Sequence, residues 1–173
     1  VPCDPTEMEK AVFAAAEIDG PVYIRVARPV CEDITTEDTP FIPGKANILK
    51  DGNDVCIITM GLMVPIALKA AEMLEAEGIS AAVVNMHTVK PIDAETILAM
   101  NEKCKGIVTA EEHSVIGGLG SAVAEVLAGH AGAKFERVGI QDKFGKSGKP
   151  DELFAAYGLT AENIVEKCKA TLA

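Results

Sequence analysis

Three runs of the chain, "VCIITM", "AAVVNM" and "GIVTA", are five or six residues long and almost continuously apolar. Short runs of this kind, rich in Val and Ile, predict strands covered on both faces, as in a parallel sheet. Between them the apolar positions change to helical spacing. Pro65 opens a predicted helix in which Ile66, Ala70, Met73 and Leu74 share one face, and Gly78 ends it. Asp93 caps the next helix, with Ile92 and Ile97 as its hydrophobic staple. "GSAVAEVLA" predicts a third helix and "FERVGI" a further strand. Two helices close the chain, over residues 151–157 and 161–172, the second capped by Thr160 and stapled by Leu159 and Ile164. Ahead of this series, "ANILKDGNDVCIITMG" reads as strand, Asp-Gly hairpin and strand. The alternation predicts a three-layer α/β fold with a mixed, mostly parallel sheet, to which the hairpin adds an antiparallel strand.

The N-terminal stretch has a different character. In "DPTEMEKAVFAAAEIDG", Asp4 can cap a helix, Pro5 suits its first position, Glu7 completes a capping box and Gly20 marks the exit. "PVYIRVARP" predicts a short strand stopped by Pro29, and the acidic stretch "VCEDITTEDTPFIPG" has neither period. One helix and one strand cannot bury a core. Residues 1–29 are therefore expected to be the end of a preceding domain, 30–44 a linker, and 45–173 a complete α/β domain. On this division, residues 4–27 should pack weakly on the rest.

Composition narrows the function classes. No apolar run among the 173 residues is long enough to span a membrane, and the N-terminus lacks the regions of a secretory signal and an initiator Met. The chain is accordingly expected to be a piece of something longer. A net charge of −10 argues against nonspecific binding to nucleic acid or anionic membrane. Cys3, Cys31, Cys56, Cys104 and Cys168 are scattered, odd in number and free of C-x-x-C spacing, which points to free thiols in a reducing cytoplasm.

Four places could carry chemistry. "EEHSVIGGLGS" follows a strand and opens a helix, the layout of a phosphate-binding loop. Its Gly117, Gly118 and Gly120 depart from G-x-G-x-x-G, however, and no ribose-binding acid follows. A tight structural corner is the preferred reading, over an independent nucleotide-binding domain. His113, placed just beyond its strand, is a candidate base but lacks a visible orienting partner. Lys143, Lys146 and Lys149 in "KFGKSGK" precede a helix and could meet a phosphate, or be merely solvated. Arg25 and Arg28 in "YIRVAR" carry donor forks suited to phosphate oxygens, or to salt bridges with the acidic linker.

Taken together, "PTEMEKAVFAAAEIDGPVYIRVARP", "VVNMHTVKPID", "IVTAEEHSVIGGLGSAVAEVL" and "GIQDKFGKSGKPDELFAAYGLTAENIV" resemble the C-terminal end of a transketolase, closest to the type split over two chains. The "FGKSG…YGLT" block is the most specific element. The resemblance implies that residues 1–29 end a pyrimidine-binding domain and that 45–173 form the transketolase C-terminal domain. It implies transfer of a two-carbon ketol unit between sugar phosphates, with thiamine diphosphate and a divalent metal such as magnesium. It also implies a homo-oligomer, at least dimeric, completed by N-terminal and pyrimidine-binding segments. Arg28 matches the arginine that grips the sugar phosphate, whereas Arg25 has no such match. The G-D-G…Asn motif for metal and diphosphate, the activating glutamate and the aromatic ring pocket have no counterpart here, so the chain alone is expected to bind no cofactor and to be inactive. Similar domains close 1-deoxyxylulose-5-phosphate synthases and 2-oxoacid dehydrogenase β subunits, and a noncatalytic assembly or regulatory module is a further alternative.

Overall fold

A computed structural model describes residues 1–173. A five-stranded sheet has the order β1 (Asn47–Lys50), β3 (Ala81–Asn85), β2 (Val55–Thr59), β4 (Gly106–Ser114), β5 (Lys134–Ile140), with only β1 antiparallel. One face is covered by α2 (Met63–Ala76), α5 (Pro150–Tyr157) and α6 (Ala161–Leu172), and the other by α3 (Ala94–Lys103) and α4 (Leu119–Leu127). The two-residue period of β2 distributes its side chains accordingly. Val55 and Ile57 enter the α2/α6 core, while Cys56 and Ile58 enter the α3/α4 core. Both faces being covered explains why the run is apolar without alternation. The three-layer, mostly parallel α/β architecture read from the sequence is the one found.

The Asp-Gly hairpin is not. β1 pairs with β3, through Ile48 opposite Val84, and never with β2. Both edges of β2 are taken by the parallel partners β3 and β4, and β1 lies instead along the outer edge of β3. The connection between β1 and β2 must then cross the start of β3. It is held there by bonds from the Asp54 amide to the Ser80 carbonyl and from the Ser80 amide to Asp54 Oδ2, both 2.9 Å. Gly52 makes the crossing possible, because a Cβ at this position would lie 2.3 Å from the backbone of Ala81 and Ala82.

Three boundaries also shift. α2 begins at Met63, so Pro65 lies inside its first turn, where a missing N–H costs no hydrogen bond. β4 continues through Ser114, which puts His113 within the strand rather than beyond it. "PVYIRVARP" forms no strand and pairs with none of the five. Its Val22, Tyr23 and Val26 stand exposed.

α1 (Pro5–Ala16) is better anchored than expected. Asp4 caps it by accepting from the Glu7 amide at 2.7 Å, and also accepts from the Ile34 and Thr35 amides. Glu7 does not close the box on Asp4. Its carboxylate passes to the Cys3 amide at 2.7 Å and to Asn85 Nδ2 at 2.8 Å, tying the helix to the end of β3. Cys3, Asp4, Glu7 and Ala11 are buried as a result. Weak packing is confined to the far end of α1 and the segment after it, where Val12, Phe13 and Ile18 are exposed.

Gly52→Ala should cost about 3 kcal/mol or more, since the backbone it would strike cannot yield as a side-chain tip does. Gly145→Ala, which meets nothing within 4 Å, should stay within about 0.5 kcal/mol. Urea denaturation of both variants checks the crossing.

Candidate functional site

The corner between β4 and α4 is built around a buried acid. Glu111 is fully buried, and its carboxylate accepts from the Leu119 amide at 2.7 Å and the Gly120 amide at 2.8 Å. These are first-turn donors of α4, at the positive end of the helix, where a phosphate would otherwise bind. The chain's own carboxylate fills that position. A Cβ on Gly118 would lie 1.9 Å from Glu111 Oε2, and one on Gly120 would lie 2.7 Å from Arg137 Cδ. Gly117 has φ +74°, and its amide donates to Ser121 Oγ at 2.9 Å. Each glycine thus meets an internal requirement.

His113 is half exposed, with Nδ1 2.9 Å from the Ser114 carbonyl and 3.9 Å from Glu111 Oε2. Both Glu111 oxygens are already engaged by α4, so no carboxylate orients the ring. Arg25 and Arg28 part company. Arg25 is half-buried and donates to the Glu112 carbonyl at 3.2 Å, while burial raises the Glu112 carboxyl pKa, with Arg25 opposing. Arg28 is exposed and makes no hydrogen bond or ion pair. Lys143, Lys146 and Lys149 are likewise exposed. The adjoining N-terminus of α5 already carries Asp151 and Glu152, and Glu152 accepts from the Lys149 amide at 3.1 Å.

A cleft of about 680 Å³ brings Arg25, His113, Gly117 and Gly118 together with a residue the sequence reading passed over. That residue is His87. It is 2% exposed, and its ring stacks on Phe41 with centroids 4.2 Å apart. Nδ1 lies 2.9 Å from Thr88 Oγ1, and Nε2 has no partner. The sequence signal was its place just after a parallel strand, where open α/β sheets gather ligands. Burial, with the Val1 amino group adding, lowers its pKa from 6.5 to about 4, against the pull of Asp93. A second cleft, of about 760 Å³, lies between residues 29–34, α2 and α5, with Glu32, Lys69, Glu72 and Asp151 on its walls. Nowhere do three His, Cys, Asp or Glu side chains converge as metal ligands. With the Leu119 and Gly120 amides taken by Glu111, the α4 terminus offers those donors to no diphosphate.

Two variants probe these groups. Glu111→Gln should destabilise the fold by about 2–4 kcal/mol, because an amide places its NH₂ against a buried donor. His113→Ala should cost no more than about 0.5 kcal/mol in the same denaturation series. His87 should add a pH dependence. Its folded pKa lies below the unfolded value, so the unfolded chain takes up the proton first, and stability falls with pH between about 6.5 and 4. Between pH 7 and 4.5 the loss should be about 2–3 kcal/mol, and His87→Phe should lack it.

Comparison with known proteins agrees with the motifs. A model of the transketolase C-terminal domain matches residues 44–164. The 6-deoxy-6-sulfo-D-fructose transketolase subunit of Clostridium sp. (strain MSTE9) is 46% identical over 164 residues, covering 95% of this chain and 51% of its own length. A putative transketolase C-terminal section from Methanocaldococcus jannaschii is 47% identical over 170 residues, covering 96% and 52%. A 1-deoxy-D-xylulose-5-phosphate synthase from Symbiobacterium thermophilum is 36% identical over 174 residues, covering 99% of this chain but 27% of that protein. Among solved structures, a split gene transketolase in an inactive β4 tetramer superposes with a TM-score of 0.95 at 47% identity, over 99% of this chain and 56% of its own. The chain thus spans about half the length of the transketolase relatives it matches. The chain belongs to the transketolase C-terminal domain family.

Proposed function

We propose that this chain is the C-terminal part of a split-type transketolase, catalytic only within a larger assembly that moves a two-carbon ketol unit between sugar phosphates. The observation that carries the reading is Arg28. It is a guanidinium with no partner, at the end of an extended, unpaired segment whose Val22, Tyr23, Val26 and Val30 are exposed. Unpaired backbone beside apolar side chains suits a strand completed by further polypeptide. On this reading residues 1–29 belong to a pyrimidine-binding domain, 30–44 to a linker, and 45–173 to the C-terminal domain. A sequence relative, the 6-deoxy-6-sulfo-D-fructose transketolase subunit, and a solved structure, the split gene transketolase, support it by their likeness over nearly the whole chain. The lower identity of the 1-deoxy-D-xylulose-5-phosphate synthase speaks against that alternative.

Within such an assembly, Arg28 binds the terminal phosphate of the sugar through its two-pronged donor set. The Glu111 corner holds α4 fixed and takes no part in the chemistry. Thiamine diphosphate with a divalent metal such as magnesium, held by other segments, would supply the carbanion chemistry. A homo-oligomer, at least dimeric, in the cytoplasm completes the proposal, and five free cysteines support a reducing compartment.

The phosphate is remote from the carbon transferred and is gripped about equally before and during reaction, so its binding lowers KM without raising kcat. In the assembled enzyme Arg28→Ala should raise KM for phosphorylated sugars about ten- to a hundredfold, equivalent to roughly 1.5–3 kcal/mol, with turnover much less affected. Arg28→Lys should lie between, and His113→Ala should leave both constants within about twofold. Loss of turnover in His113→Ala together with normal KM in Arg28→Ala would overturn the assignment.

A further inference from the structure

We propose that the cleft between residues 18–25, Phe41 and the carboxyl ends of β2, β3 and β4 is a separate binding site for a small organic anion with a flat apolar body. The inference does not rest on the transketolase reading. Position is its first support. The connections from β2 and β4 leave in opposite directions across the sheet, and the crevice outside such a switch point is where α/β sheets bind ligands. Met60, at the end of β2, and Leu119, beyond β4, both line it.

Charge is the second support. The chain has 26 acidic residues and a net charge of −10, yet no Asp or Glu is among the residues lining this cleft. Arg25 and Lys90 are, and neither has a carboxylate within 4 Å. Arg25 is half-buried and makes one hydrogen bond, to a main-chain carbonyl, which leaves most of its five N–H donors free. A positive, partly desolvated pocket in an acidic protein favours an anion. The other large cleft is the contrast, since acidic side chains line it.

His87 is the third. A buried polar atom with no partner is unusual in a folded protein and calls for an explanation. Nδ1 is engaged by Thr88 and the ring is fixed on Phe41, so the imidazole is already oriented, and Nε2 is a buried, unpaired atom of a residue that lines the cleft. Burial keeps the ring neutral at physiological pH, so this is a specificity contact rather than a second charge. The apolar body follows from size and lining. A volume of about 680 Å³, with Ile18, Val22, Phe41 and Met60 on its walls, is far larger than a bare oxyanion needs.

The test uses 2-naphthoate as the probe, with its neutral counterpart 2-naphthamide and inorganic phosphate as comparisons. Titration of the chain, followed by calorimetry and by methyl and imidazole NMR shifts, should show saturable 1:1 binding of naphthoate with Kd below about 1 mM. The shifts should centre on Met60, Leu119 and His87. Naphthamide and phosphate should each bind at least about tenfold more weakly, a difference of 1.4 kcal/mol. Arg25→Gln should weaken naphthoate about tenfold or more, and so should His87→Phe, which keeps the ring but removes the hydrogen bond. Unchanged methyl shifts in β2 certify each variant as folded. No saturation by about 10 mM naphthoate, equal affinity for naphthamide, or shifts centred on another surface would each overturn the site.

Discussion

The bond from the Glu111 carboxylate to the first amides of α4 fixes the character of the whole sheet end. An α-helix begins with donors that its own ladder cannot use, and here they face the carboxyl edge of a parallel sheet. In many α/β proteins a ligand's phosphate closes that gap. Glu111 closes it from within, at 2.7 and 2.8 Å, and the helix is set before any ligand arrives. A corner shaped like a nucleotide site therefore has no vacancy for a nucleotide. Its glycines answer to a carboxylate and to Arg137 packed against them.

The same device recurs through the molecule. Asp4, Glu7, Asp93 and Glu111 are all buried, and each accepts from backbone amides. Asp93 caps α3 and also accepts from the Ala46 amide at 2.9 Å, joining that helix to the residue before β1. A buried carboxylate tolerates its desolvation only when such donors surround it. In this acidic chain the interior acids are thus committed to architecture. Most cations face outward, Arg137 packs against the glycine corner, and Arg25 and Lys90 line the large cleft that contains no acid.

Much of this was legible in the sequence. Apolar runs without alternation announced doubly covered strands, and Asp4, Asp93 and Thr160 announced helix starts that the structure repeats. The hairpin misled because Asp51-Gly52 is a turn signal, and turn chemistry says nothing about which strand lies alongside. Partnering is decided by which edges remain free once β2, β3 and β4 have packed in parallel. Glu111 stood in the sequence only as part of "EEHSVIGGLGS", since nothing in a linear sequence shows that a side chain eight residues before Leu119 folds back onto its amide. His87 was missed for a similar reason. Its missing hydrogen bond is a property of three-dimensional surroundings, invisible in "VVNMHTVKP".

The crossing at Gly52 also has a temporal side. β1 comes off the ribosome before β2 and β3, yet the edge it occupies belongs to β3, the last of the three to be made. It cannot zip locally onto its sequence neighbour, as a hairpin would. It must wait, unpaired, until the β2–α2–β3 unit has closed a longer loop, and non-local closure of that kind is slow. Its brevity, four residues with an irregular register between Ile48 and Lys50, makes the waiting strand a poor template for another chain. The order in which the chain is written and the order in which its sheet can be assembled are different, and Gly52 is the residue at which they are reconciled.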